Sequence, residues 1–331
     1  MGASVDRIEP IKGDLTRFIP PLQDGVGVYF RCFSKGKRSM ALDFRHPLAA
    51  ELIRKLIPNY DVVVEGFKPN VLEAMGLAPD DLLKINPQLI VARLSGYGQT
   101  GPWSNRPGHD LNYLSITGVL SAQAQTSKGI SIPAVQIADM CGSLTGAMSI
   151  CAALVKRFRF GVGQVLDISL TDSALALAAP VLAGAIGENR GLRPGEEVLS
   201  GGASFYRNYC CSDGGWVAVG AIEPKFQKVL IDSFGSLKAS DLERGFLTQT
   251  STHWEEAFGH ACVTRVRDAH EVLKHPQLLH RKRVVGTDIN PPVGLIEGEL
   301  PKLGEHGADI LKDSGLPFSE IERYRREGLL L

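Results

Sequence analysis

Neither sign of charge is in excess in this chain of 331 residues, which has 36 lysines and arginines against 36 aspartates and glutamates. Proteins that bind nucleic acid or an anionic membrane through charge carry a clustered positive surplus. No basic run dominates the sequence either. The chain is therefore predicted to bind neither nucleic acid nor a membrane.

Cysteine is scarce and has no pattern. The six cysteines include no CxxC spacing, and Cys210 and Cys211 are simply adjacent. Zinc sites and disulfide frameworks depend on characteristic spacings. The sequence therefore predicts unpaired thiols and no metal site. It also indicates an intracellular protein of the cytoplasm or of an organelle matrix, a peroxisome or mitochondrion if the cell is eukaryotic.

Long apolar runs are missing as well. The longest, residues 174–187, is shorter than a bilayer span and is interrupted by Pro180. It is predicted to be a buried helix. No signal peptide opens the sequence, which runs at once from Met1 into a strand pattern over residues 4–9. We therefore expect an earlier strand–helix unit to be absent before Met1.

Strand and helix patterns alternate over the first 95 residues. Strands are predicted at residues 4–9, 37–43, 61–65 and 89–94, with helices after Pro47 and at 70–75 and 79–85. The continuous apolar run from Val62 to Val64 is typical of a strand buried on both faces. Further helices are predicted at 109–122, 140–158 and 172–187, with a strand at 164–170. The alternation predicts an α/β fold with a mostly parallel sheet, in which ligands bind beyond the carboxyl ends of the strands.

A literal GxGxxG follows the strand that ends at Leu94, from Gly96 to Gly101. A dinucleotide fingerprint requires its last glycine to open a helix. Here Pro102 and Pro107 follow instead. The motif is therefore interpreted as a glycine-rich substrate loop, and no nicotinamide cofactor is predicted.

Composition also marks a boundary in the second half of the chain. Residues 188–202 are rich in Gly, Pro, Arg and Glu without any period and are predicted to be a linker. A hairpin then joins residues 205–211 to 216–222 through Ser-Asp-Gly-Gly, a strong turn signal. The predicted domains are 1–187 with 300–331, and a smaller one at 203–299 that includes a connecting segment.

The candidate chemistry centres on the sequence PGHDLNY from Pro107 to Tyr113. It places His109 at the start of a predicted helix, next to unpaired backbone N–H groups that stabilise negative charge. Imidazole titrates near neutrality and suits proton transfer. From these residues alone, His109 is either a catalytic base or a residue of a helix-capping turn. Asp139, before the helix at 140–158, is likewise either a helix cap or an acid–base group.

The chain resembles the family III (CaiB/BaiF-type) CoA-transferase superfamily and, within it, the α-methylacyl-CoA racemase branch. The matching segments are GKRS at 36–39, ALD at 41–43, DVVVEGFKP at 61–69, MGL at 75–77, ARLSGYGQ at 92–99, GHDLNY at 108–113, AD at 138–139, GQVLD at 163–167, VAVGAIEP at 217–224 and LGEH at 303–306. Each piece is short, but together they follow the family's order along nearly the whole chain.

The resemblance implies a fold and a set of catalytic residues. It implies an interlocked homodimer, whose subunits each have a Rossmann-like large domain built from both chain ends and a small central α+β domain. His109 and Asp139 match the two bases of the racemases, and Glu223 matches the carboxylate that orients the histidine. Transferases of the family use the aspartate matching Asp139 as a nucleophile, and most of them lack the histidine.

The resemblance also implies how the substrate is held. CoA is part of the substrate, so no separate cofactor is expected. Arg38, Lys68 and Lys35 are expected to meet the CoA phosphates, and the backbone N–H of Asp110 is expected to stabilise an enolate oxygen. The further residues expected to contact the substrate are Ala41, Leu42, Asp43, Phe44, Leu111, Asn112 and Tyr113.

The expected activity is inversion of the α-carbon of a 2-methyl-branched acyl-CoA. Removal of one proton and delivery of another on the opposite face need two acid–base groups, each worth roughly 10²–10⁴-fold. Two alternatives stay open: CoA transfer through an acyl anhydride on Asp139 and an enzyme–CoA thioester, and a catalytically inactive, shortened homologue. The sequence leaves the acyl group open among bile-acid-like, branched fatty and peptidyl side chains.

Overall fold

A computed structural model describes residues 2–123, 125–126, 129–286, 288–291, 294 and 297–331. The strands of this described part, in chain order, are β1 (Asp6–Pro10), β2 (Leu22–Gln23), β3 (Val26–Gly27), β4 (Arg38–Leu42), β5 (Val62–Glu65), β6 (Ile90–Ser95), β7 (Gln125–Thr126), β8 (Gly129–Ile130), β9 (Gln164–Ser169), β10 (Tyr206–Cys210), β11 (Trp216–Gly220), β12 (Val263–Arg265), β13 (Val284–Val285) and β14 (Asp288–Ile289).

The helices show the same alternation with the strands in the first half of the chain. They are α1 (Val28–Ser34), α2 (Ala49–Leu56), α3 (Val71–Ala74), α4 (Pro79–Ile85), α5 (Asp110–Ile116), α6 (Val119–Ala122), α7 (Ile137–Phe160), α8 (Leu170–Gly187), α9 (Pro224–Phe234), α10 (Ala239–Phe246), α11 (Ser251–Phe258), α12 (Ala269–Val272), α13 (Pro276–His280), α14 (Gly307–Asp313) and α15 (Phe318–Arg326).

The chain packs as two units, each made of more than one segment. Unit 1 comprises Met1–Arg93, Ser149–Leu166 and Ala269–Leu331, and unit 2 comprises Leu94–Met148 and Asp167–Asp268. These units follow the packing within one chain. The domain boundaries inferred from composition and resemblance stay predictions.

Unit 1 brings the two ends of the chain into one core. β1 and β4 pair in parallel, and α2, α14 and α15 bury their apolar faces in one cluster with β4. The last residues return to β4, where the Leu331 N–H donates to the Ala41 carbonyl at 3.3 Å and the Asp43 N–H donates to the Leu329 carbonyl at 2.9 Å. The predicted α/β class with parallel strands is confirmed, and the C-terminal helices pack on the N-terminal strands.

The second parallel pair is formed by β5 and β6, in a sheet of order β5–β6–β9. The prediction that β5 is buried on both faces is wrong, since Val64 is 60 % exposed. β5 is an edge strand, paired on one side to β6 alone within the described residues. Gly163 precedes β9 because a Cβ there would lie 2.0 Å from the Leu89 carbonyl oxygen.

Unit 2 has an antiparallel sheet of order β10–β11–β12. The predicted hairpin is confirmed as β10 and β11, whereas β12 was not predicted because its three residues are too short to show a period. Helices α9 to α11 cover one face of the sheet with an aromatic core. The rings of Tyr209, Phe234, Phe246, Trp254 and Phe258 contact one another in this core.

Two predictions about helices in unit 2 are wrong in part. The helix predicted over residues 109–122 is two helices, α5 and α6, because Gly118 adopts the left-handed φ of 81° between them. The helix predicted to be buried at 174–187 is largely exposed. Leu177 in α8 is 57 % exposed and Ile186 is 75 % exposed.

Helix α7 carries exposed apolar side chains too, including Met148 at 66 % and Phe158 at 93 % exposure. By length and composition alone, α7 and α8 are each long and apolar enough to cross a membrane, and about a fifth of each candidate span is buried. One or two such helices are weak evidence for a membrane protein. The prediction that the chain binds no membrane therefore stays a prediction.

Candidate active site

The histidine of the PGHDLNY motif caps a helix. His109 has extended backbone angles, φ −131° and ψ 177°, and immediately precedes α5. Its own N–H donates to Asn112 Oδ1 at 3.1 Å, which fixes the entry of the chain into the helix. The imidazole itself is exposed, and it lies at the backbone N–H of Asn112 in a capping box. The ring is therefore available for proton transfer.

Asp139 lies in the first turn of α7, as its third residue. The prediction that Asp139 caps this helix is wrong. The carboxylate that caps α7 belongs to Asp110, the first residue of α5. Asp110 Oδ1 accepts the N–H of Ala138 at 2.7 Å and the N–H of Asp139 at 3.1 Å. The start of α5, with His109, is thereby joined to the start of α7, with Asp139.

Burial raises the pKa of the Asp139 carboxyl group, and the negative charge of Asp110 raises this pKa further. The positive charge of protonated His109 acts in the opposite direction and lowers it. Asp139 and His109 therefore interact electrostatically, although no hydrogen bond links their side chains in the described structure. A raised carboxyl pKa keeps a proton available on Asp139 closer to neutral pH, as acid–base catalysis requires.

Tyr113 contacts the loop after β6 and interacts electrostatically with Asp139. Its hydroxyl group donates to the Gly108 carbonyl, and its ring meets Tyr97 edge-on with centroids 5.1 Å apart. Burial, and then the charge of Asp139, raise the pKa of its phenol. Gly96 makes room for the ring, since a Cβ there would lie 2.3 Å from Tyr113 Cε1. The sequence predicts a substrate contact for Tyr113 but none for Tyr97.

The GxGxxG loop does not open a helix, as a dinucleotide fingerprint requires. The next helix in the described chain after Gly101 is α5, nine residues later. The Gln99 N–H donates to both carboxylate oxygens of Asp167 at 3.1 Å. The buried Ser95 hydroxyl and Gln99 side-chain amide have no protein partner in the described residues, which leaves them for water or a ligand.

An apolar cavity of about 490 Å³ lies in unit 2 near the C-terminal end of α5. Ile137, two residues before Asp139, contributes to its wall. The other aliphatic side chains that line it are Val119, Leu177, Val181, Leu182 and Leu192. Its size and lining are those of a pocket for an apolar small molecule or acyl group.

No hydrogen bond or ion pair joins Glu223 to His109 within the described residues of this chain. Glu223 precedes α9 as its N-terminal cap residue, but its carboxylate makes no capping hydrogen bond. The side chain is exposed and is unpaired within the described residues. The proposed orienting role of Glu223 therefore stays a prediction.

The predicted CoA-binding cations lie in unit 1, where two of the three are already paired. Arg38 donates to both oxygens of Asp6 at 2.7 and 2.8 Å and to Asp313 at 2.6 Å. Lys35 lies 2.6 Å from Asp288 Oδ2. Contact with a phosphate would require these ion pairs to open or to be shared.

The predicted backbone contacts at residues 41–44 are also partly occupied. Ala41 and Leu42 are fully buried. The Ala41 carbonyl group and the Asp43 N–H are already hydrogen-bonded to the C-terminal residues of unit 1. Phe44 packs edge-on against Phe67, with ring centroids 6.3 Å apart. Lys68 directly follows Phe67 in the chain. It is exposed and has no ion pair within the described residues. Lys68 is thus the unpaired cation of the predicted set.

Nothing in the described part of the chain assembles a metal site, since no group of three or more His, Cys, Asp and Glu side chains lies together. The residues brought together in unit 2 are instead two acid–base groups, His109 and Asp139, with Asp110 between their helices. The backbone N–H groups at the start of α5 complete an arrangement suited to proton transfer next to a carbonyl group.

Comparisons with known proteins identify the family. Residues 1–297 match the family described as CoA-transferase family III. The chain is 33 % identical over 327 residues to the human alpha-methylacyl-CoA racemase, covering 89 % of this chain and 85 % of that one.

A transferase and a solved structure are similar as well. The succinyl-CoA–L-malate CoA-transferase beta subunit of Chloroflexus aurantiacus is 34 % identical over 245 residues, which cover 71 % of this chain and 58 % of that protein. A CAIB/BAIF family protein from Brucella suis superimposes with a TM-score of 0.82 at 26 % identity, covering 95 % and 92 % of the two chains. The chain therefore belongs to CoA-transferase family III.

Proposed function

We propose that this protein inverts the α-carbon of a 2-methyl-branched acyl-CoA thioester. One of the pair His109 and Asp139 takes the α-proton, and the C–H electrons pass to the thioester oxygen as an enolate. The other residue then gives its own proton to the opposite face of the α-carbon. No second substrate is consumed, and the two residues recover their starting states by exchange with water.

The observation that carries this proposal is the coupling of His109 to Asp139. His109 has an exposed imidazole, and the pKa of Asp139 is raised by burial and by the charge of Asp110 but lowered by the positive charge of His109. Two different acid–base groups suit removal and return of a proton on opposite faces. Similarity to the human racemase over most of both chains supports the same reaction. The aliphatic cavity near α5 suits an apolar acyl group.

The second candidate is CoA transfer, favoured by similarity to the Chloroflexus transferase subunit. In that reaction the Asp139 carboxylate would attack the thioester carbonyl group and release CoA as the thiolate. CoA thiolate would then attack the Asp139 carbonyl of the acyl anhydride, which releases the donor as its carboxylate and leaves an enzyme–CoA thioester. The acceptor carboxylate would attack this thioester and release CoA thiolate, forming a second anhydride, and the thiolate would then take the acceptor acyl group and free Asp139. His109 has no necessary part in this sequence.

Deuterium incorporation separates the two candidates. One enantiomer of a 2-methylacyl-CoA is incubated with the protein in deuterated water, without any acceptor acid, and the α-position is followed by NMR and mass spectrometry. A racemase is expected to introduce deuterium and to produce the other enantiomer. Absence of both, with CoA transfer once succinate or another acid is added and hydroxylamine modification at Asp139, would replace the racemase assignment by the transferase.

We also propose that the protein acts as a homodimer. Helices α7 and α8 expose more large apolar side chains than the surface of a monomer usually carries. A second copy of the chain would cover them. In a dimer, Glu223 of one subunit could contact His109 of the other. Glu223 is exposed and unpaired within the described residues of its own chain.

Phe158→Glu is expected to convert the dimer into a monomer, because Phe158 is 93 % exposed and a charge cannot be buried there without a partner. Sedimentation velocity measures the change. Phe318→Glu is the matched control, since Phe318 in α15 is 74 % exposed. A wild type that is monomeric, or that sediments with lipid vesicles, would contradict the dimer as the reason for these apolar faces.

A further inference from the structure

Asp110 takes the hydrogen bonds that a first-turn carboxylate ordinarily makes. The first N–H groups of a helix have no partner within the helix and are satisfied by nearby acceptors. At the start of α7, the N–H groups of Ala138 and Asp139 both donate to Asp110 Oδ1, at 2.7 and 3.1 Å. This carboxylate comes from another helix, 28 residues earlier in the chain.

The consequence for Asp139 is that its own carboxylate remains unengaged. Within the described residues the Asp139 side chain has no hydrogen-bond partner, although it lies in the first turn, where acidic residues bind N–H groups. A carboxylate held by N–H donors is stabilised in its charged form and is a poor acid. Asp110 therefore frees Asp139 for proton transfer while it occupies the helix terminus.

Asp110 also connects the two proposed acid–base residues. It is the first residue of α5 and follows His109 directly. Its two hydrogen bonds reach α7 at Asp139 itself and at Ala138, which is fully buried. A displacement of one helix start relative to the other would therefore have to break these bonds.

We propose that the Asp110 carboxylate is the positioning residue of this site: it joins the start of α5 to the start of α7, holds His109 and Asp139 in their mutual geometry, and leaves the Asp139 side chain free. The inference rests on the proposed racemase function. It assigns the Asp110 side chain a role separate from the enolate contact expected of its backbone N–H.

The charged and titratable groups around Asp139 determine how its pKa changes when the Asp110 charge is removed. From α5, Asp110 and the Tyr113 hydroxyl group face Asp139, with His109 at the cap. On α7, Cys141 interacts with Asp110, and burial followed by this charge raises the pKa of its thiol. Among these groups, Asp110 is the one whose negative charge raises the pKa of Asp139.

Asp110→Asn and Asp110→Ala separate charge from position. The asparagine keeps an oxygen that can accept both N–H groups but removes the charge, so the pKa of Asp139 is expected to fall. Both directions of the reaction use the singly protonated His109–Asp139 pair, so for both enantiomers the limb of the deuterium-exchange profile that reports Asp139 moves to lower pH. Asp110→Ala removes both contacts and is expected to lower exchange by about 10²-fold, the usual loss when reacting groups are misplaced.

Asp172→Asn is the matched control, since Asp172 is an exposed aspartate in the first turn of α8. It is expected to leave the rate and both limbs unchanged. The inference is overturned if Asp110→Ala retains wild-type exchange, or if Asp110→Asn has the wild-type pH profile. A Tm loss in Asp110→Ala without those changes would indicate a structural cap alone.

A direct titration keeps this test independent of the proposed function. The carbon-13 carboxyl resonance of Asp139, assigned by its loss in Asp139→Asn, is followed against pH in the wild type and in Asp110→Asn. A lower pKa in Asp110→Asn supports the inference even if the wild type catalyses no exchange, which would refute the racemase proposal alone. An unchanged pKa refutes the Asp110 inference whatever the activity.

Discussion

His109→Ala is expected to lower deuterium incorporation at the α-carbon by about 10²–10⁴-fold, the contribution of one positioned acid–base group. The cause is loss of one of the two groups that exchange a proton with the substrate. The variant protein should remain folded, because the His109 ring is exposed and the Asn112 side chain still accepts the backbone N–H of residue 109. The α-proton NMR signal in deuterated water gives the rate, and circular dichroism verifies the fold.

Asp139→Ala is expected to cause a loss of the same size, and the double variant should lose little more than either single one. Groups that act in one reaction sequence are not additive, because removal of either already stops the proton relay. His270→Ala is the control, since His270 is an exposed histidine in α12 of unit 1. Full exchange in His109→Ala would refute the racemase assignment. Full CoA transfer in the same variant would support an anhydride on Asp139.

Much of the fold follows from local patterns. The spacing of apolar residues and the position of Pro79 predict α4 at its observed bounds, Pro79–Ile85. The Ser-Asp-Gly-Gly turn predicts the hairpin of β10 and β11. These signals lie within the element itself, so no tertiary information is required to read them.

The errors arise where a distant partner decides the outcome. Asp139 has the residue type and position of a helix cap, yet Asp110 takes that function from 28 residues away. The exposure of α8 was missed for the same reason. An apolar run predicts that a helix packs against another surface, but it does not indicate which surface that is. For the site, the sequence and the family resemblance named His109, Asp110 and Asp139, whereas the role of the Asp110 side chain depends on tertiary structure.

A buried ion pair in unit 1 is expected to dominate the stability of the N-terminal segment. Arg17 donates to both carboxylate oxygens of Glu9 at 2.7 Å, and the two side chains are 8 % and 1 % exposed. Ser39 and the Asp14 N–H also donate to Glu9, at 2.6 and 3.1 Å. Burial alone would raise the pKa of Glu9, but these donors outweigh it and the pKa is lowered. The pair therefore stabilises the charged form of Glu9.

Arg17→Met is expected to destabilise the protein by about 3–5 kcal/mol, because it leaves the Glu9 charge buried without its partner. Urea unfolding at neutral pH measures the loss. Adding Glu9→Gln should recover most of it, since the amide oxygen still accepts from Ser39 while the uncompensated charge is gone. Lys84→Met, which breaks an exposed pair with Asp81, should leave the unfolding midpoint nearly unchanged.

The pH dependence gives this prediction a sign that packing effects lack. A lowered pKa in the folded state means that the Glu9 contribution is fully present above the unfolded-state glutamate pKa of about 4.3 and is lost as pH falls through the folded value. In Arg17→Met, protonation of Glu9 removes the unpaired charge. The deficit of Arg17→Met relative to the wild type should therefore be largest near neutrality and shrink as the pH falls. A deficit that stays constant down to acid pH would attribute the loss to the packing of Arg17 over the Phe30 ring, 3.8 Å from its centroid, instead of to the charge on Glu9.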